Sequence, residues 1–289
     1  MTLWMWFDAA VVIRGTLSFL VRYIRARLIG RRAERTLSVL DATPEVTWFV
    51  TTRDLPGPLL HTLVTGIAKT KYPNLRIVVL DCGQVHSAQK VADKVSDPRI
   101  SVFAAPRTQP EWYEWICQHV ETDYFVVTHD DLHFVGQGWL EDLIQPLLMD
   151  KTIGCVCGEA FPVRLNTVEP GGERVDLTFG LSTWMWASRR EAVIDRRCDF
   201  SFSKRGNGPA GTLEVWDQGG LWLEQLKCDG WRIALESPDA ARKWQHFENF
   251  DWTRGAGDRR YARLKHHQRT IVSLFAQLHL LLWKVKKRA

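Results

Sequence analysis

The sequence predicts an α/β protein built on a doubly wound, mostly parallel sheet with flanking terminal helices. Three observations lead there. Short apolar runs, too short for helices, recur at "VTWFV" (46–50), "LRIVVLD" (75–81), "RISVFAAP" (99–106) and "DYFVVTHDD" (123–131). Helical segments separate these runs, and an alternating strand–helix order implies parallel pairing with right-handed crossovers. The strands are rich in β-branched residues and hardly alternate with polar ones, as strands covered on both faces should be.

Between the first two strands, "TTRDLPGP" is a loop rich in turn formers, and "LLHTLVTGIAKT" is a helix closed by the turn "KYPN". "QKVADKV" and "EWYEWICQHVE" are the next two helices. "GWLEDLIQPLLMD" is a helix, "IGCVCGEAF" a strand, and "FGLSTWMWASRREAVI" a strand running into a helix. "NGPAG" (207–211) is a loop, and "SKRGNGPAGT" around it has the glycine content of a lid that orders over a ligand or, equally, of an ordinary surface loop. "VWDQGGLWLEQLKCDGWRIAL" reads as a helix, a glycine stop at Gly230 and a strand, and "KWQHFENFDW" is a polar, aromatic loop before a terminal helix.

Composition narrows the function. The 289 residues are 45% apolar, enough for one large domain with appendages, and include fourteen tryptophans. The net charge of +5 is concentrated at the ends. Seven arginines against Asp8 and Glu34 lie in residues 1–35, and Lys284, Lys286, Lys287 and Arg288 close the chain, which leaves the middle acidic. Both ends are also apolar, which favours a membrane surface over nucleic acid. The first segment is never charge-free for the ~20 residues a span needs. Asp8, Arg14, Ser18, Arg22, Arg25 and Arg32 fall on one side of a helical wheel, with Trp4, Phe7, Val11, Leu20 and Ile24 mostly elsewhere. The expectation is an interfacial amphipathic helix with arginines for anionic headgroups; the bland alternative is a helix packed on its own domain. Six cysteines without CxxC or zinc-finger spacing read as reduced thiols. There is no GxGxxG opening the first helix and no GxxxxGK[ST].

In a doubly wound sheet the ligand binds beyond the carboxyl ends of the strands. The informative loops are therefore 51–54, 81–84 and 129–133, each of which carries a carboxylate. In "THDDLHF" (128–134) two adjacent carboxylates stand between two imidazoles, a set suited to a divalent cation or, more blandly, to a polar turn.

Taken together, these residues resemble a family, the GT-A fold glycosyltransferases of family 2, of the bacterial surface-polysaccharide type. "YPNLRIVVLDCG" (72–83) resembles its "YPNLEIIVVDDGS", and "DYFVVTHDDLHFVGQGWLEDLI" resembles its DxD-bearing strand and following helix. "WDQGGLWLEQLKCDGWRIAL" is similar to its acceptor-helix motif, and "KWQHF" stands where the family often places a metal-binding His. The likeness covers roughly residues 46–250. It departs at His129, which occupies the first acidic position of DxD, at Cys82, and at Trp216-Asp217, which lacks the usual Glu.

The charge and apolar pattern of the ends reads as a membrane-associating segment over 1–40 and an apolar, basic helix over 266–289, and the resemblance implies a glycosyltransferase domain over 41–265 between them (nucleotide-sugar half 46–134, acceptor half 135–250). It implies Mn²⁺ or Mg²⁺ held by Asp131 and Asp130, with His133 or His246 as a further ligand. Thr51, Arg53, Asp81 and Asp130 would bind the donor, UDP-linked or similar; the lesser alternative for Thr51 and Asp81 is a simple cap of the next helix. Asp217 would be the general base of an inverting transfer, and Trp184, Trp216 and Glu159 would meet a glycan or polyprenyl-linked acceptor. The implied setting is the cytoplasmic, inner face of the cell membrane, reached through both termini, without nucleic acid; a homodimer is compatible. The competing readings are a sugar nucleotidyltransferase and a catalytically degenerate scaffold.

Overall fold

The structure, a computed structural model, describes residues 3–33, 43–106, 108–158, 166–168, 174–178, 184–194, 196, 198–201, 203–206, 213–216, 219–238, 240–247 and 259–288. The four expected strands form one side of the sheet, with β3 at its edge: β1 (Val46–Thr52), β2 (Leu75–Asp81), β3 (Ile100–Ala104) and β4 (Tyr124–His129). β1 pairs in parallel with β2 and β4, and β2 with β3. Helices α2 (Pro56–Ala68), α3 (Ala88–Val95) and α4 (Gln109–His119) make the crossovers. β4 ends at His129, two residues earlier than its apolar run suggests. Asp130 and Asp131 form a bend before the three-residue strand β5 (Leu132–Phe134).

Beyond α5 (Trp139–Met149), β6 (Ile153–Cys157) joins the sheet only through β9 (Met185–Arg189), which runs antiparallel to both β4 and β6. β12 (Arg232–Leu235), after α6 (Gly220–Cys228), closes the edge in parallel with β6. The seven-stranded order is β12-β6-β9-β4-β1-β2-β3. A second sheet of four short strands collects β7 (Asn166–Val168), β8 (Arg174–Thr178), β10 (Ser203–Gly206) and β11 (Leu213–Trp216). Trp216 thus ends a strand rather than opening a helix. Within "KWQHF" the structure finds strand β13 (Trp244–His246), antiparallel to β5.

Strand alternation splits the core into two layers. Trp48, Val50, Ile77 and Val79 pack under α2, α3 and α5, while Phe49, Val78 and Leu80 pack with Tyr113 and Ile116 of α4 and Trp222 of α6. At the rim, Gly83 lies so close to Asp54 that a Cβ would collide with its carboxylate, so the β2 loop tolerates no side chain there. In return Asp54 accepts the N–H groups of Gln84 and Val85 at 2.8 and 2.9 Å, tying the first two loops together.

Long helices close both ends, α1 (Leu3–Ala33) and α7 (Arg259–Arg288). α7 packs on α2, with Val272, Ala276 and Leu280 buried at helical spacing. α1 lies alongside α7 in the same direction, Gly15 against Leu264 and Tyr23 against His279. Its inner face buries Phe19 and Tyr23, each 3% exposed. Its outer face exposes Ile13, Leu17, Val21, Ile24 and Leu28, and α7 likewise exposes Leu274, Leu278, Leu281, Leu282 and Val285. The terminal helices therefore pack on the domain and still present apolar stripes. Among the described residues no helix is long and apolar enough to cross a membrane.

Candidate metal and nucleotide site

The carboxyl ends of β1, β2 and β4 meet in register, Thr51 beside His129 and Thr52 beside Asp81. Threonines shape the bend beyond β4. The Thr52 hydroxyl donates to Asp130 Oδ2 at 2.5 Å. The Thr62 hydroxyl of α2 accepts the Leu132 N–H at 3.0 Å and lies 2.8 and 2.9 Å from the carbonyls of Asp130 and Leu132. This bend is buried, so satisfying its backbone groups matters; each one left unpaired would cost about 1–3 kcal/mol.

The fixed bend aims Asp131 at two imidazoles. Asp131, His129 and His246 each offer a ligand atom, all within 4.8 Å of one another. Asp131 Oδ1 is buried, accepts no hydrogen bond, and lies 3.0 Å from His246 Nε2. The Phe247 N–H donates to the Asp131 carbonyl at 2.9 Å, which joins β13 to the bend. The Tyr113 hydroxyl is hydrogen-bonded to His129 Nε2 at 2.9 Å, and Trp184 stacks on His246 with centroids 4.8 Å apart and planes at 14°. Burial alone would push the Asp131 carboxyl up. His246 and then His129 outweigh it, so Asp131 is held below the usual carboxylate range and stays ionised.

One carboxylate and two imidazoles, with a buried oxygen that accepts no hydrogen bond, fit a divalent cation. The two nitrogens favour Mn²⁺ over Mg²⁺. The partners of His129 and His246, a tyrosine hydroxyl and an indole face, are the kind that orient ligating rings.

The expected site residues fall into three groups. Asp131 and His246 come together, and Trp184 joins them. Asp130, beside them, turns its carboxylate to Thr52 and lies outside the three-ligand group. His133 is not brought to the group either. In the β5–β13 ladder Gln245 opposes His133 and His246 opposes Leu132, so His133 and His246 face opposite ways. His133 is 1% exposed, bonded through Nδ1 to His61 Nε2 at 2.7 Å, and stacked under Tyr23 at 4.4 Å. Burial and neighbouring positive groups hold His61 and His133 well below the usual imidazole range and His279 at about 4, so all three are neutral.

On the nucleotide side, Asp81 is buried and accepts the N–H groups of Gly83 and Ala88 at 3.0 and 3.1 Å, so it secures the β2–α3 loop. Thr51 is buried with its hydroxyl 3.4 Å from the Thr128 carbonyl, and Arg53 is exposed at the rim. Trp216 ends β11; Glu159, Asp217 and the loop 207–211 lie outside the described residues.

From sequence, His129 is only a competitor of His133 for the role of the first acidic residue and Tyr113 is missed. The signal for His129 was present, since it occupies the first acidic position of the resembled motif. Nothing local marks Tyr113, which reaches the site from α4 across the sheet.

No family model and no curated protein matches this sequence. Solved structures do. A mannosyltransferase from Pyrobaculum calidifontis, in complex with GDP-Man and Mn²⁺, is 18% identical, with a TM-score of 0.51 over 80% of this chain and 67% of that one. The glucosyl-3-phosphoglycerate synthase of Mycobacterium tuberculosis, with Mn²⁺ and UDP, is 14% identical, with a TM-score of 0.44 over 73% of this chain and 78% of that one. A 4-diphosphocytidyl-2C-methyl-D-erythritol synthase from Anaerococcus prevotii is 10% identical, with a TM-score of 0.45 over 69% and 92%. At these identities the likeness speaks to fold: the chain has a Rossmann-like α/β fold of the GT-A type.

Proposed function

We propose that the chain is a metal-dependent, inverting glycosyltransferase of family 2 type that moves a sugar from a nucleoside-diphosphate donor to a lipid-linked or polysaccharide acceptor in surface-glycan synthesis. The observation that carries this is the His129–Asp131–His246 group at the strand ends. A divalent cation held there would neutralise the leaving diphosphate as a Lewis acid.

The chain's own residues supply the rest. Thr52 and Thr62 hold the bend that presents Asp131, and Tyr113 and Trp184 orient the two imidazoles. Arg53, exposed at the rim, meets base or phosphate, with Thr51, Asp81 and Asp130 shaping the donor cleft. The acceptor hydroxyl attacks the anomeric carbon as its bond to the diphosphate oxygen breaks. The hydroxyl proton passes to the Asp217 carboxylate, the nucleoside diphosphate departs, and the configuration inverts. Trp184, Trp216 and Glu159 would meet the acceptor.

The exposed apolar stripes of α1 and α7, with Arg14, Arg22 and Arg25 exposed on α1, support peripheral attachment to an anionic inner membrane face. A lipid-linked acceptor rewards that attachment. The test is a donor panel scored by Mn²⁺-dependent hydrolysis and transfer. One nucleotide sugar should stand out, and Asp217→Asn should abolish transfer while preserving donor binding. Loss of donor binding in that variant would move Asp217 to the nucleotide side, and no turnover of any donor would refute the activity.

A further inference from the structure

Two of the three candidate ligands ride on a very small piece of structure. His246 ends β13, Asp131 immediately precedes β5, and each of these strands has three residues. A two-stranded ladder of this size is marginal by itself. Its stability has to come from what packs on its other face.

That face is covered by α1. Tyr23 stacks on His133 at 4.4 Å and 18°, and on Phe247 at 6.2 Å and 11°. Phe19 meets Phe247 at 5.5 Å. Phe247 directly follows His246, and its N–H donates to the Asp131 carbonyl at 2.9 Å. α7 completes the bracket, with Phe275 stacked on Tyr23 at 4.6 Å and His279 Nε2 3.2 Å from the Tyr23 hydroxyl. The same helix α1 turns the exposed stripe Ile13, Leu17, Val21, Ile24 and Leu28 outward, Val21 at 63% exposure. Exposed Arg14, Arg22 and Arg25 supply the charge an anionic lipid surface attracts.

We propose that α1 couples docking on an anionic lipid surface to the metal site, with Tyr23 and Phe19 as positioning residues for Asp131 and His246. This rests on the reading of the chain as metal-dependent and membrane-attached. The physical basis is linkage. Anything that orders α1 against the ladder reduces what metal binding must still order, and the benefit is reciprocal. A bilayer that takes up the outer stripe holds the inner face in place.

The experiment measures Mn²⁺ affinity by calorimetry on the full chain, with and without vesicles of mixed zwitterionic and anionic phospholipid; flotation reports vesicle binding. The wild type should float and bind Mn²⁺ about fivefold or more tighter when docked. Tyr23→Ala should weaken Mn²⁺ binding by about tenfold or more and still float. Tyr23→Phe, which keeps the stacked ring, should stay near wild type. Tyr23→Leu keeps apolar volume without the stack and guards against a misfolded alanine variant, judged by far-UV circular dichroism. The double variant Leu17→Ser, Val21→Ser should fail to float yet bind Mn²⁺ like the undocked wild type. Coupling is refuted if folded Tyr23→Ala and Tyr23→Leu both bind Mn²⁺ like wild type, or if docking leaves the wild-type affinity unchanged. A wild type that binds Mn²⁺ but never floats refutes the membrane reading and the coupling with it. One that floats but binds no Mn²⁺ overturns the metal reading and the inference together.

Discussion

Two groups of histidines sit back to back across the β5–β13 ladder, and they differ in nearly everything but residue type. On one face His129 and His246 converge on the ionised Asp131, with a tyrosine hydroxyl and an indole face to hold them. On the other, His61 and His133 bond to each other with Phe247 against both, and His279 lies 3.2 Å from the hydroxyl of Tyr23, whose ring stacks on Phe275. A carboxylate within reach makes the first group a candidate for cation chemistry. Burial without one makes the second a neutral packing cluster. The lesson is that strand parity separates His246 from His133, which face opposite sides of one ladder.

The comparison breaks most visibly at Asp131. Asp131→Ala removes the one carboxylate of the ligand group and should lower Mn²⁺ affinity by about 100-fold or more, beyond what losing an outer partner usually costs. His246→Ala should cost less, about 10–100-fold, and should also change tryptophan emission as Trp184 loses its stacking partner. On the buried face the expected effects switch to stability. His133→Phe keeps the stack under Tyr23 but strands His61 Nε2, so chemical denaturation should show a loss of about 1–3 kcal/mol with Mn²⁺ affinity near wild type. A large loss of metal affinity in that variant would erase the distinction between the two faces.

The smallest effect is in pH. His279 titrates at about 4 when folded and near 6.5 when unfolded. Between those values the unfolded chain holds the extra proton, so stability falls as pH drops from about 6.5 to 4 and is fully present above. Thermal unfolding of His279→Phe should show a shallower loss over that window than wild type.

The sheet was legible where the chemistry of burial is simple. β1, β2 and β4 are covered on both faces and their apolar runs carry that signature, whereas β3 lies at the edge and leaves Phe103 exposed. β9 was legible as a strand but not as an antiparallel one, because its direction depends on a connection rather than on its own residues. β5 and β13 were invisible, since three residues are too few to show a period, and "KWQHF" read as a loop. The site divides the same way. Asp131 could be named from its place at a strand end and His246 from a resemblance. The choice between His129 and His133 required the register of a ladder that local sequence does not encode. Tyr113 and the aromatic brace under β13 come from elements distant in the chain, so only packing brings them into view.

The His129–Asp131–His246 group is proposed to hold a divalent cation against a nucleoside diphosphate. Titrating UDP and GDP into the wild type and Asp131→Ala, each with Mn²⁺ or with EDTA, tests it directly by calorimetry. At least one diphosphate should bind the wild type only with Mn²⁺, and Asp131→Ala should lose this binding. Equal binding with EDTA, survival of binding in Asp131→Ala, or no binding of either nucleotide under any condition would contradict it.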